Sequence, residues 1–219
     1  MGNSQNTLDA AATKHGITHF ASLCINPNNY DKIETLLRQG IDVNQCCSKG
    51  AATALHVAVH APNNRKIVEL LLKYGADVDM QASNGNTVLI EALVTYPSTN
   101  AHEVVELLID ASKNINLATN NGYNALMVCC IKEYANYELA ELILKKWINV
   151  DTKNNVGDTA LMIAVSYPET VTSIKTVNLL LDYLADIDII NSKGKTALDI
   201  AKEIGNEIIV KILSDHQKK

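Results

Sequence analysis

The chain has 219 residues and is 47% apolar, ample for a continuous core, and its apolar runs are too short to span a membrane. Its net charge of −5, with no basic stripe, argues against a nucleic-acid partner. Five cysteines, two adjacent pairs among them (Cys46–Cys47 and Cys129–Cys130), indicate a reduced, cytoplasmic protein instead of a disulfide framework.

The start, Met-Gly-Asn-Ser-Gln-Asn, has neither the basic nor the apolar region of a secretory signal. It also places Asn6 where N-myristoylation wants Ser or Thr. Residues 1–15 form a polar segment in which Leu8 to Lys14 is expected as a short capping helix. From there a pattern recurs six times: glycine, then Thr or Asn two or three residues on, then an apolar position. The stretches begin at Gly16, Gly50, Gly85, Gly122, Gly157 and Gly194, with spacings of 34, 35, 37, 35 and 37 residues. A fixed period of this length means stacked supersecondary units, each contacting only its neighbours.

Residues 50–84 show what one unit contains. Thr53 offers a hydroxyl to cap a short apolar helix, Ala54-Leu-His-Val-Ala-Val59. Ala61-Pro-Asn-Asn64 breaks it, and Lys66 to Tyr74 is a second helix with an apolar face. Gly75 can adopt the left-handed conformation that closes a helix, and Ala76-Asp-Val-Asp79 leads through a polar turn to the next unit. The second-helix cores recur as Leu36-Leu37, Leu70 to Leu72, Leu107 to Ile109, Leu142 to Leu144, Leu179 to Leu181 and Ile212-Leu213.

Thr53-Ala-Leu-His56 and Gly75-Ala-Asp-Val-Asp79 resemble the ankyrin repeat, whose pattern runs Gly-x-Thr-Pro-Leu-His, two helices, then Gly-Ala-Asp-Val-Asn. The resemblance covers roughly residues 16–213. It implies an all-α repeat solenoid, helix-loop-helix plus a short hairpin per unit, in a single domain over 16–219. The units are 16–49, 50–84, 85–121, 122–156, 157–193 and 194–219, the last with the polar outer face of a C-terminal cap, so that the array reads as complete. Departures are instructive. The pattern's proline is missing throughout, and the four prolines (Pro27, Pro62, Pro97, Pro168) sit between helices. The lengthened loops resemble those of giant-virus ankyrin proteins. The 23 asparagines, alongside many Ile and Lys, read as the bias of an AT-rich genome more than as a physical need.

The helix-closing glycine persists only as Gly40 and Gly75; its later equivalents are Ser112, Trp147 and Leu184. Left-handed backbone is costly for such side chains, so those helix ends must differ or be strained. Trp147 and Leu184 read either as a second contact surface or, more usually for Trp, as residues packed between units. Glu91 replaces an apolar first-helix residue; buried, it needs a donor or is protonated, and the favoured reading has it lean out to the concave surface.

The resemblance implies a non-enzymatic module that binds a protein through the concave face of the array, with a viral or microbial protein engaging host machinery as one setting. Its contact positions, carried onto this frame, are the hairpin-tip residues Cys46, Ser48, Gln81, Ser83, Ala118, Asn120, Lys153, Asn155, Ile190 and Ser192. Beside them lie the first-helix ends and loops, at His60, Thr95, Tyr96, Lys132 and Tyr167. His56 matches the family histidine that ties adjacent hairpins. Asn44 and Asn116 resemble hydroxylase substrates in ankyrin proteins, each eight residues after a leucine. No cofactor and no metal is expected, nor a membrane partner, and a monomer is expected over an oligomer. The rival readings are a self-associating scaffold and a metal- or thiol-dependent activity using His56, His60 and the cysteine pairs. The last lacks an evident third ligand, since the two histidines share a helix face at i, i+4 spacing.

Overall fold

The computed structural model describes residues 18–47, 51–95, 101–131, 136–167 and 171–217. The expected capping helix and the residues Ser48, Tyr96 and Lys132 lie outside the described residues. The chain divides into two compact units, residues 1–114 and 115–219. Unit 1 holds α1 (His19–Leu23), α2 (Tyr30–Arg38), α3 (Ala54–Val59), α4 (Arg65–Lys73), α5 (Val88–Thr95) and α6 (Ala101–Ala111). Unit 2 holds α7 (Ala125–Cys129), α8 (Tyr137–Leu144), α9 (Ala160–Val165), α10 (Val171–Asp182), α11 (Ala197–Ile204) and α12 (Glu207–His216).

Within each unit, first helices stack on first helices and second helices on second helices, giving two helical layers of a repeat solenoid. The hairpins are turns, not extended strands: among the described residues, antiparallel pairing is limited to Gln81 with Thr87 and Ala118 with Asn124.

Each first helix starts at the Thr or Asn that opens the sequence pattern. The side-chain oxygen accepts the N–H three residues on: Thr18 from Ala21 (3.1 Å), Thr53 from His56 (3.4 Å), Thr87 from Ile90 (3.3 Å), Asn124 from Met127 (2.9 Å), Thr159 from Met162 (3.3 Å) and Thr196 from Asp199 (3.2 Å). Each such cap is worth about 1 kcal/mol. Helices this short do not hold alone in water, so burial must stabilise them. All of α7 and α9 is buried, which explains why their sequences are apolar all round. The second helices show one apolar stripe: in α4 Ile67, Val68, Leu70 and Leu71 are buried while Lys66 and Lys73 are not.

Successive units are tied by an Asn or Asp that accepts backbone N–H groups of the next. The Asn44 amide accepts from Asp77 N–H (2.8 Å) and donates to Gly75 O (3.0 Å). The Asp79 carboxylate accepts from Ser112 Oγ–H (2.7 Å) and from the N–H groups of Lys113 and Asn114 (2.9 Å each). Asn116 accepts from Asn149 N–H (3.0 Å), and Asp151 from Asp186 N–H (2.9 Å). Asp79→Ala removes three acceptor contacts from an exposed turn that water can partly re-solvate. A loss of about 1–3 kcal/mol is expected, read from the urea midpoint of the intact chain.

The missing closing glycines resolve into two solutions. α6 ends differently, without left-handed backbone, and Ser112 turns its hydroxyl onto Asp79. After α8 and α10 the chain keeps the left-handed turn and bears the strain, with φ +60° at Trp147 and +61° at Leu184, against +87° and +84° at Gly40 and Gly75. Packing of Trp147 between units is ruled out, because Trp147 is 94% exposed and Leu184 80%.

Candidate functional site

The hairpin tips share one local geometry. In the tip at 119–123, Thr119 N–H donates to Tyr123 O (2.9 Å) and Gly122 N–H to Thr119 O (2.8 Å); the same two bonds recur from Ala82, Asn154 and Asn191. The glycine closing each loop has φ between +70° and +82°, a conformation that favours glycine. Short polar side chains hold the loops from within: Asn154 Oδ1 accepts from the N–H groups of Val156 (3.0 Å) and Asp158 (2.9 Å), and Asn191 Oδ1 from those of Lys193 (2.9 Å) and Lys195 (3.1 Å). Asn154 and Asn191 are thus structural members of their tips, a physical role that their abundance alone did not reveal.

In unit 2 successive tips are bonded directly to one another. Asn155 N–H donates to Asn121 O (3.1 Å) and Asn155 Nδ2 to Asn120 O (2.8 Å). One step on, Ser192 N–H donates to Val156 O (3.0 Å), Lys153 Nζ to Ile190 O (3.2 Å) and Asn191 Nδ2 to Asp158 Oδ1 (2.7 Å). The contact is so close that a Cβ on Gly122 would lie 2.7 Å from Asn155 N. Two apolar side chains stand out of this ladder, Ile190 (54% exposed) and Val156 (50%). Val156 was not among the sequence candidates. Its place just before the tip glycine is filled by Asn84, Asn121 and Lys193 in other repeats, a contrast that could have identified it.

The candidates of unit 1 are of another kind. Cys46, Gln81 and Ser83 are exposed at tips, with Gln81 Nε2 folded back onto Gly85 O (2.7 Å). Thr95 is half-buried, its hydroxyl donating to Glu91 O and Ala92 O (3.0 Å each). In unit 2 Ala118 and Tyr167 are half-buried, while Asn120, Lys153, Asn155, Ile190 and Ser192 are exposed.

A cleft of about 160 Å³ in unit 1 is lined by Cys47, His56, His60 and Glu91 with Ala52, Val57 and Ala82. His56 is 2% exposed; Thr53 N–H donates to its Nδ1 (3.2 Å), which leaves Nε2 to donate to Asn86 O (3.3 Å) in the next hairpin. Both ring nitrogens are engaged, so His56 ties hairpins, and burial lowers its pKa from the ordinary 6.5. Glu91 does not simply lean into water. Its side chain is 15% exposed and lies 3.3 Å from His60 Nε2, and it accepts from Asn86 Nδ2 (2.8 Å) and Asn84 Nδ2 (3.2 Å). His60 first, with the two amides, outweighs burial and holds this carboxyl down at about 2. Burial pushes the Cys24 and Cys130 thiols up to about 12 and Cys129 well above the ordinary range, the protonated state of packing cysteines. Among the described residues no three His, Cys, Asp or Glu side chains are placed to hold a metal ion, and no helix is long and apolar enough to cross a membrane.

The family model described as ankyrin repeats (3 copies) matches the sequence over residues 18–117, 61–154, 94–191 and 133–219. The structure is similar to that of EF0377, an ankyrin repeat protein, at 27% identity and a TM-score of 0.76, over 90% of this chain and 98% of that one. It is also similar to a chain in the complex of the predatory endopeptidase Bd0816 from Bdellovibrio bacteriovorus with immunity protein Bd3460. There the identity is 28% and the TM-score 0.72, covering 93% of this chain and 98% of that one. The ankyrin repeat domain of Bcl-3, of the IkappaB family, shares the fold at 22% identity and a TM-score of 0.73, over 90% of this chain and 83% of that one. No curated protein matches the sequence significantly. These overlapping matches run from residue 18 to residue 219, and the chain belongs to the ankyrin repeat family.

Proposed function

We propose that this protein is a non-enzymatic binding module that takes a protein partner on its hairpin tips and the adjoining ends of the first helices. Ankyrin repeats are in general protein–protein interaction modules, and a similar chain occurs in a complex of an endopeptidase with an immunity protein. The observation that carries the reading is the bonded ladder of tips in unit 2, which presents Val156 and Ile190 beside Lys153. Backbone-to-backbone bonds fix these loops before any partner arrives, so little conformational entropy remains to be lost on binding. Two exposed aliphatic side chains on a polar, preorganised rim match the anatomy of a small interface core.

Affinity capture from cell extract tests this, comparing wild type with a variant carrying Gln81, Asn120, Lys153, Val156 and Ile190 all changed to Ala. These side chains are exposed, so the variant is expected to keep its fold and to lose the captured partner, a drop of at least tenfold (about 1.4 kcal/mol). An unchanged set of partners contradicts the tip surface.

A further inference from the structure

Among the described residues, eight large apolar side chains are exposed; Ile25 is in unit 1 and the other seven are in unit 2. Trp147 and Leu184 stand out among them because their backbone is unfavourable as well. Both occupy the helix-closing position at φ near +60°, where unit 1 uses Gly40 and Gly75. A Cβ built on Gly40 or Gly75 meets no atom within 4 Å, so this position faces open space in the fold. Left-handed strain on a non-glycine residue is of the order of 1 kcal/mol, and exposure of a large apolar side chain returns nothing. Within the chain no packing offsets either cost at Trp147.

The two positions are one repeat apart, and their loops run side by side, joined by Asp186 N–H donating to Asp151 Oδ1 (2.9 Å). Their flanking charges are opposite. Lys145 and Lys146 precede Trp147 and are exposed, with Lys145 paired to Glu141 one turn back (3.0 Å); Asp182 lies two residues before Leu184 and Asp186 two after it, both exposed. Exposed Tyr183 adds a further aromatic surface next to Leu184. One patch is thus apolar and basic and the next apolar and acidic, an arrangement that complements itself under a two-fold axis.

We propose that this edge of unit 2 is a self-association surface whose occupant is a second copy of the chain. Each copy's Trp147 packs on the other's Leu184 and Tyr183, with Lys146 opposite Asp182 twice over. Two or three anchors a side make a small interface, so the dimer is weak and concentration-dependent. This surface is separate from the tips and stands whether or not the tips bind a partner.

Sedimentation equilibrium from about 10 μM to about 1 mM tests it, the range where small interfaces associate. The wild type is expected to move from monomer toward dimer mass. Trp147→Gly with Leu184→Gly should weaken association at least tenfold while the urea midpoint stays level or rises, because glycine relieves the left-handed strain; unfolding is thereby excluded as the cause. Lys146→Glu alone and Asp182→Lys alone should each be monomeric, while an equimolar mixture of the two should dimerise. A wild type that stays monomeric to the top of the range overturns the proposal. So does a glycine variant that still dimerises, a charge-swapped mixture that does not, or a different protein captured through Trp147 by a monomeric wild type.

Discussion

Gly122→Ala is expected to destabilise unit 2 by about 2–5 kcal/mol, the sum of left-handed strain and overpacking against backbone that cannot move aside. Gly122 has φ +82°, and its added Cβ would sit 2.7 Å from both the N and Oδ1 of Asn155 and 2.8 Å from Asn154 Cα. Relief of that contact requires the next tip to shift, breaking the bonds of Asn155 to Asn120 and Asn121. Gly157→Ala meets Ser192 N at 2.9 Å with φ +81° and belongs to the same class. Gly194 is the control: φ is +70°, but nothing lies within 4 Å of its Cβ. Alanine there costs the strain alone, about 1 kcal/mol. Urea unfolding of the three variants should place Gly194→Ala nearest wild type. Three equal losses show that the glycines serve conformation only, and that tip-to-tip contact is not a constraint.

Acid is expected to weaken unit 1 in two stages that variants separate. His56 is buried neutral, so its pKa is lowered; below about 6.5 the unfolded chain takes up a proton that the folded chain refuses, and stability falls as pH falls. Glu91 is held at about 2 against an ordinary 4.5, so its contribution is complete above 4.5 and is lost as pH drops toward 2. The full span of that second stage is roughly 3 kcal/mol. His56→Gln should flatten the upper stage and Glu91→Gln the lower, in urea titrations from about pH 8 to about pH 3. Glu91→Gln also removes the carboxylate that faces His60 Nε2 and accepts from Asn84 and Asn86, so it should be less stable than wild type at neutral pH. A profile unchanged by Glu91→Gln contradicts the assigned role of that carboxylate.

Much of this architecture is legible in the sequence because the physics is local and repeated. A cap such as Thr53 and a turn glycine such as Gly122 act within four residues of chain. Recurrence at a fixed period converts each weak signal into a frame. The loss of glycine at Trp147 and Leu184 likewise announced strained turns, since only the backbone angle was at issue. What lay beyond reading was what two distant segments do to each other. The bonds from Asn44 to the segment at 75–77 and from Asn155 to the preceding tip span more than thirty residues, so Asn44 read as a modification site and Asn155 as a contact position, not as ties between repeats. Trp147 could be identified as unusual, but its burial depends on whether a neighbouring repeat covers it, and none does. Glu91 required His60, Asn84 and Asn86 to be brought together before its charged state was defined. Val156 escaped notice because one valine beside a glycine is unremarkable until Ile190 stands in the next tip.

The central claim is that the tips of unit 2 are a preformed surface for a protein partner. Amide hydrogen exchange of the intact protein, with and without its captured partner, addresses both halves of it. The tip amides of Gly122, Gly157 and Ser192 should be protected already in the free protein, since each donates to a backbone carbonyl. On adding partner, new protection should concentrate at residues 152–158 and 189–195. Tip amides that exchange freely without partner, or new protection confined to the second helices, contradict the account.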